Sequence, residues 1–376
     1  MDLREIPTPA LVLSRPRLQQ NLDFMAGRAR DLGVSLRPHL KTAKCAQVAQ
    51  LATAGQTGGI TISTLAEARW FLAQGFTDMT LAVELPPGKV DAILDLTRQG
   101  AHMTVLVDSA EAAGALRQAA QADLPHPVRV LLEVDCGDAR GGVSLDGAAL
   151  AILGKLLCGT HNLELAGVLT HAGHSYACHS VDEIADVAEQ ERATAVQAAE
   201  LLLRAGLPCP VVSVGSTPTA THARHLEGVT EMRPGVYMLG DLDQVGLQSM
   251  GMDRIACTVL ATVIGHYPQR NTLLTDAGGL ALSKDTSAQR HGRNVGYGRV
   301  CDLLGRELAG LYVHRVNQEH GHITADGMLP YKQLKIGSRV RVLPNHICMT
   351  AAAYENFHVV DEGTAVAEVW PRVNGW

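Results

Sequence analysis

The sequence contains no apolar run long enough to cross a bilayer, no CxxC pair, no internal repeat and no low-complexity tract. A helical span would need about 20 consecutive apolar residues, so a membrane is not an expected partner. With 32 Lys and Arg against 38 Asp and Glu, the formal charge is -6, and nucleic acid, which needs a basic footprint, is not an expected partner either. Eight cysteines lie scattered at Cys45, Cys136, Cys158, Cys178, Cys209, Cys257, Cys301 and Cys348. Without pairing motifs they read as free thiols of a reducing compartment. The opening "MDLREIPTPALVLSR" has neither a charged region leading into an apolar core nor a cleavage-like site. The expected location is cytoplasmic.

What remains is a chain of 376 residues, 46% hydrophobic and 19% charged, enough for one large α/β domain and a smaller second one. From about residue 11 to 245 apolar strand-like runs alternate with helical periodicity. The strand candidates are "VSLRPHLK", "GGITIST", "DMTLAVE", "HMTVLVD", "VRVLLEVD", "LELAGVLTHAG", "VVSVGS" and "GVYMLGD". Several intervening helices stop at a glycine in the C-cap position, Gly75, Gly100 and Gly206 among them. Eight such units predict a (β/α)8 barrel, with a doubly wound sheet as the other arrangement of the same pattern. After about residue 250, "ACTVLATVIGHYP", "GRELAGLYVHRVNQEHG" and "KIGSRVRVLPNHICMTAAAYENFHVV" read as strands and turns with little helix. The expected division is therefore a barrel over 1–248 and a β-rich domain over 249–376.

Chemistry in such a barrel gathers at the C-terminal ends of the strands. In "RPHLKTAKC" strand alternation would put Arg37, His39 and Lys41 on one face, poor core material but apt for a polar cavity. "EVDCGDARGG" leads to Arg140, "LTHAGHSY" carries His171, His174 and Tyr176, and "VGSTPT" and "RPGVYMLGD" supply glycine turns able to offer N–H groups to a phosphate. In "NHIC", His346 and Cys348 are two apart in a strand-like run, so both would point the same way, and imidazole with thiolate suits zinc or another borderline-soft divalent ion. A His and a Cys at this spacing are also commonly core neighbours.

In order, "TPALVL", "RPHLKTAK", "GGITISTLAEA", "THAGHSY", "VGSTPT", "RPGVYMLGD", "NQEHG" and "LPNHICMT" resemble the D-serine dehydratase and D-threonine aldolase family of fold-type III pyridoxal-phosphate enzymes, over nearly the whole chain. The resemblance implies an alanine-racemase-like barrel with a β-rich C-terminal domain, and a homodimer. It implies that Lys41, rather than its neighbour Lys44, binds pyridoxal 5'-phosphate covalently, in a pocket that withholds water from the amine. It implies a phosphate cradle from Gly215, Ser216 and Thr217 with Gly235, Val236 and Tyr237. Arg140 would lie near the phenolic oxygen, His171 beside the pyridine ring and Tyr176 near its nitrogen. His346 and Cys348 would hold zinc or manganese, where aldolases of the family show H-x-D.

The activity implied is dehydration of β-hydroxy D-amino acids such as D-threo-3-hydroxyaspartate or D-serine to a 2-oxo acid and ammonia. Lys41 would serve as base and the metal as Lewis acid at the hydroxyl. The alternative is aldol cleavage of D-threonine-type substrates, with His174 as base. A racemase of this fold would need a second acid/base, for which Tyr297 and Tyr354 are candidates, and a cofactor carrier of similar barrel would lack the β domain. Arg37, Arg140, Lys284 and Arg293 are candidates to meet a second substrate carboxylate.

Overall fold

The structure is a computed structural model that describes residues 1–56, 59–121, 123–145, 148–292 and 294–376. The chain divides into two compact units, one of Phe24–Lys41, Val48–Gly235 and Gly375–Trp376, the other of Met1–Asp23, Thr42–Gln47 and Val236–Asn374.

Strand β1 (Ala10–Ser14) belongs to the second of these. The first unit is built on β2 (Ser35–Leu36), β3 (Ile60–Ile62), β4 (Asp78–Glu84), β5 (His102–Val107), β6 (Val128–Glu133), β7 (Leu163–Leu169), β8 (Val211–Val214) and β9 (Glu231–Met232). All neighbours are parallel, in the order β2-β9-β8-β7-β6-β5-β4-β3. The ring closes where the chain past β2 meets β3. His39 bridges Thr61, Leu40 N–H donates to Thr61 O at 2.8 Å, and Thr61 N–H donates to Pro38 O at 2.9 Å. On its other side the same stretch donates Arg37 N–H to Met232 O and His39 N–H to Pro234 O.

These strands are near-continuous apolar runs because helices cover the sheet outside and side chains fill it inside. Leu106, Leu131, Ala166 and Leu169 form one buried cluster, each leucine side chain contributing roughly 1.5–3 kcal/mol by leaving water. The helix Val181–Arg204 starts at Ser180, whose Oγ accepts from Glu183 N–H at 3.2 Å. It turns Ile184, Ala188, Ala195 and Ala198 inward at helical spacing and ends before Gly206, which takes φ +75°.

The second unit carries β10 (Cys257–Tyr267), β11 (Thr272–Thr275), β12 (Arg299–Cys301), β13 (Glu307–Val316), β14 (Gly321–Ala325), β15 (Arg339–Leu343), β16 (Asn356–Val360) and β17 (Val366–Pro371). With β1 they form a nine-stranded sheet in the order β11-β14-β13-β12-β15-β10-β1-β16-β17, and β10 also pairs with β11. The start of the chain joins this unit because β1 runs antiparallel to β10 (Leu11 opposite Val259) and parallel to β16 (Val12 opposite His358). Leu3, Ile6, Val12, Leu260 and Val360 pack there into one core. The units therefore divide near residue 236 and assign the first 23 residues differently from a cut at 248.

Three local expectations change. The eighth barrel strand is Glu231–Met232, not "GVYMLGD": Pro234 has no N–H to continue the ladder, and Val236–Met238 forms a 3₁₀ turn. "VSLRPHLK" is a ladder strand only at Ser35–Leu36 and then continues extended through the closing bridge. "NHIC" is not a strand. His346 is the extended residue (φ -136°, ψ 100°) before a short helix, Ile347–Ala351, and Cys348 lies in its first turn. No described helix is long and apolar enough to cross a membrane, and all eight cysteines are free thiols.

Candidate active site

The barrel unit has a small pocket at the C-terminal end of its strands. Among its walls are His39 and Lys41 beyond β2, Arg140 after β6, His171 after β7, Gly215 after β8 and Arg233 after β9. Three cationic side chains thus converge, and the two imidazoles add no charge. Burial and the charges of Lys41 and Arg233 hold His39 well below its usual range. Burial and the cations Lys41, Arg140 and Arg233 push His171 down to about 3, while its Nδ1 stands 3.3 Å from Gly215 O.

Arg233 is fully enclosed, its guanidinium bonded to Ser213 Oγ, to Val214 O and, at 2.7 Å, to Thr170 O. Arg140 is 3.4 Å from Glu133, a buried carboxyl at the end of β6. Burial and the neighbouring Glu84 charge push Glu133 up to about 7.

Arg37, expected on the same face as Lys41, does not line this cavity. It forms ion pairs with Asp78 at 2.9 Å and Glu231 at 3.0 Å, beside Thr80 and Thr104 in a second, smaller space inside the barrel. A guanidinium so engaged is no receptor for a substrate carboxylate. Lys284 is exposed in a loop of the other unit, and Arg293 lies outside the described residues. Lys44, at φ +48°, accepts from Val373 N–H through its carbonyl.

His174 and Tyr176 sit in the 3₁₀ turn Gly173–Ala177, and neither lines the cavity. His174 packs by Gly137, and both its ring nitrogens are buried without a hydrogen-bond partner among the described residues.

The loop after β8 is tied inward. Gly215 N–H donates to Glu191 Oε1 at 3.0 Å, and Ser216 N–H to Thr219 Oγ1 at 3.0 Å. Those amides face protein, so among these loop residues Thr217 opens the short helix Thr217–His222. Gly235 passes His39 so closely that a Cβ would stand 2.8 Å from His39 O. Val236 and Tyr237 begin the 3₁₀ turn of the other unit.

Glu191, which the sequence reading missed, organises two loops at once. It is 1% exposed and accepts from Ala172 N–H at 2.9 Å, Gly215 N–H at 3.0 Å and Thr219 Oγ1 at 2.8 Å. Its signal in the sequence is a charge within the apolar stripe Ile184, Ala188, Ala195, Ala198. Arg233 was overlooked although it opens the quoted "RPGVYMLGD".

In the second unit His346 Nδ1 stands 2.8 Å from Asp285 Oδ2, and Thr42 Oγ1 is 3.0 Å from Cys348 Sγ. Burial works against a charged His346, but hydrogen bonds to Asp285 and Cys348, with the charges of Cys348 and Asp241, push it up to about 11. Imidazole, thiol and carboxylate are donor types from which a divalent cation can displace protons. Among the described residues no group of three or more His, Cys, Asp or Glu is arranged to hold a metal ion. Two ligands would leave coordination positions for water and substrate. Tyr354, considered for a racemase, donates its hydroxyl to Ala281 O at 2.9 Å.

The cavity fits pyridoxal phosphate in charge and chemistry: an exposed lysine amine, cations for phosphate and carboxylate groups, and an uncharged imidazole wall for a flat ring. Residues 13–243 match the alanine racemase N-terminal domain and residues 256–360 the putative serine dehydratase domain. The chain belongs to the alanine racemase-like family whose second domain is of the serine dehydratase type, a fold of pyridoxal-phosphate enzymes.

Within it, the chain is 41% identical to D-threo-3-hydroxyaspartate dehydratase of Delftia sp. (strain HT23), covering 100% of this chain and 99% of that one. It is 30% identical to D-serine dehydratase of Dictyostelium discoideum, over 100% and 98%. The solved structure of a cysteine-to-alanine variant of D-threo-3-hydroxyaspartate dehydratase in the metal-free form superposes with a TM-score of 0.96 at 40% identity, covering all of both chains.

Proposed function

We propose that this chain is a pyridoxal-phosphate-dependent lyase that dehydrates β-hydroxy D-amino acids, D-threo-3-hydroxyaspartate or D-serine, to a 2-oxo acid and ammonia with the help of zinc or manganese. One observation carries the reading. A chain similar from end to end to a dehydratase has both a cationic cavity around Lys41 and a His346–Cys348 pair backed by a carboxylate.

Lys41 would hold the cofactor, Thr217 and the turn Gly235–Tyr237 its phosphate, and His171 would flank its ring. When bound, pyridoxal phosphate supplies the electron sink that lets a Cα proton leave. A divalent ion on His346 and Cys348 supplies a Lewis acid for the β-hydroxyl, since hydroxide alone leaves poorly. Lys41 Nζ would serve as the base for the Cα proton. Arg140 and Arg233 balance the negative charge of the bound groups, and the uncharged His39 and His171 leave Lys41 as the base. Arg140, half exposed where Arg37 is buried, is the better candidate for a second substrate carboxylate.

The test is product analysis with D-threonine, D-serine and D-threo-3-hydroxyaspartate, with pyridoxal phosphate and zinc or manganese added. Ammonia with the 2-oxo acid supports the proposal; glycine with an aldehyde would make the chain an aldolase. The free thiols support a cytoplasmic location. A homodimer is part of the same proposal, and a sedimentation mass of one chain would overturn it.

A further inference from the structure

His346 and Cys348 alone do not explain how the second unit is built around them. His346 is half-buried, and its Nδ1 meets Asp285 Oδ2 at 2.8 Å. The residues around Asp285 are constrained beyond what a surface ion pair needs. Ser283 takes φ +67° and ψ 164°, a region otherwise nearly confined to glycine. In that conformation its Oγ accepts Asp285 N–H at 2.9 Å, and Asp285 Oδ1 accepts Ser287 N–H at 2.7 Å. Oδ1 is thereby occupied, and Oδ2 is left for the imidazole.

The other side is fixed as well. Asp241, buried, accepts Gln244 N–H at 2.9 Å and Ile347 N–H at 3.0 Å, the amide between the two proposed ligands. Thr350 Oγ1 donates to Leu282 O at 2.9 Å, tying the short helix of Cys348 to the segment that leads into Ser283.

A carboxylate can only accept, so the proton between it and His346 belongs to Nδ1. In the neutral ring that a metal would bind, the lone pair of His346 is then on Nε2. We infer that Asp285, aimed by the strained Ser283, is a positioning residue that fixes His346 in the tautomer whose Nε2 ligates a divalent metal, with Asp241 holding the main chain between His346 and Cys348. Carboxylates placed behind ligating histidines orient the ring and raise its basicity, and their removal weakens metal binding about 10- to 100-fold. The inference rests on the metal reading proposed above and concerns how this chain sets its affinity.

The experiment is a cobalt(II) titration of the full-length protein, loaded with pyridoxal phosphate and stripped of metal, followed by the thiolate-to-cobalt and d–d absorption bands. The parent protein is expected to develop both bands, and Cys348→Ala to lose the thiolate band. Asp285→Asn is expected to bind cobalt about 10- to 100-fold more weakly with shifted d–d bands, in protein whose circular dichroism matches that of the parent. Ser283→Ala, which keeps the carboxylate but removes the hydroxyl that holds its amide, gives a smaller loss and serves should Asp285→Asn fail to fold. Cobalt binding within twofold of the parent, with unchanged bands, in the variant that folds overturns the inference alone. A parent protein without a thiolate-to-cobalt band overturns the metal reading, and the inference with it.

Discussion

Replacing Glu191 tests whether a buried carboxylate holds the loops after β7 and β8. In Glu191→Ala the amides of Ala172 and Gly215 lose their acceptor inside the protein, while the Thr219 hydroxyl can turn to Ser216 O, 3.4 Å away. Two orphaned buried donors cost about 2–6 kcal/mol together. Relief from burying a charge offsets part of this, leaving a loss of roughly 2–4 kcal/mol. Glu191→Gln keeps one oxygen for both amides and asks only that the Thr219 hydroxyl accept instead of donate, so about 1 kcal/mol is expected. Urea unfolding followed by circular dichroism gives both numbers from the shift in midpoint, provided the slope is unchanged. Cofactor affinity, read from the pyridoxal absorbance, should fall in the same order. If Glu191→Ala lies within about 0.5 kcal/mol of the parent, water or a shifted loop has replaced the carboxylate and the reasoning is wrong.

Other expectations follow from single sites. Glu133 carries a pKa raised from 4.5 to about 7 by burial and by Glu84, so the folded protein keeps a proton that the unfolded chain releases. Its contribution to stability is full below about pH 4.5 and is lost as pH rises through about 7; Glu133→Gln should flatten that slope in unfolding series from pH 5 to pH 8, and a parallel slope would refute the assignment. Cys348→Ala should lose bound metal and dehydratase turnover while retaining the pyridoxal absorbance, and full turnover after strict metal removal would end the metal's proposed role. Gly235→Ala puts a methyl 2.8 Å from a backbone oxygen, His39 O, and the required shift should cost about 1–3 kcal/mol and weaken cofactor binding. Cofactor affinity equal to the parent's would show that this turn does not hold the phosphate.

The barrel was legible where strands are runs of apolar residues. "DMTLAVE", "HMTVLV" and "VRVLLE" bury most of their side chains and announce themselves. Glu231–Met232 does not, because a two-residue strand carrying a glutamate has no period to read, and the more apolar "GVYMLGD" nearby drew the assignment. "NHIC" was read through the wrong geometry. Period two suggested a strand, whereas a helix start held by Asp241 brings the side chains together.

In "RPHLK" alternation correctly put polar groups inside, but a barrel interior is layered along its axis, so Arg37 and Lys41 serve different layers. Asp285 is 61 residues from His346, and nothing in the local sequence marks that partnership.

The barrel is knitted unevenly. Strands β6 and β7 run together over six residue pairs, while β9 meets β8 and β2 over two pairs each, and the seam between β2 and β3 is the His39–Thr61 bridge with its flanking hydrogen bonds. Lys41, Gly215 and Arg233 all issue from this loosely stitched side. A molecule gripped there would act as a clasp across the open part of the weave. Hydrogen exchange should accordingly slow most at Arg37–Lys41 and Glu231–Arg233 when the cofactor is added, and hardly at all along β6 and β7.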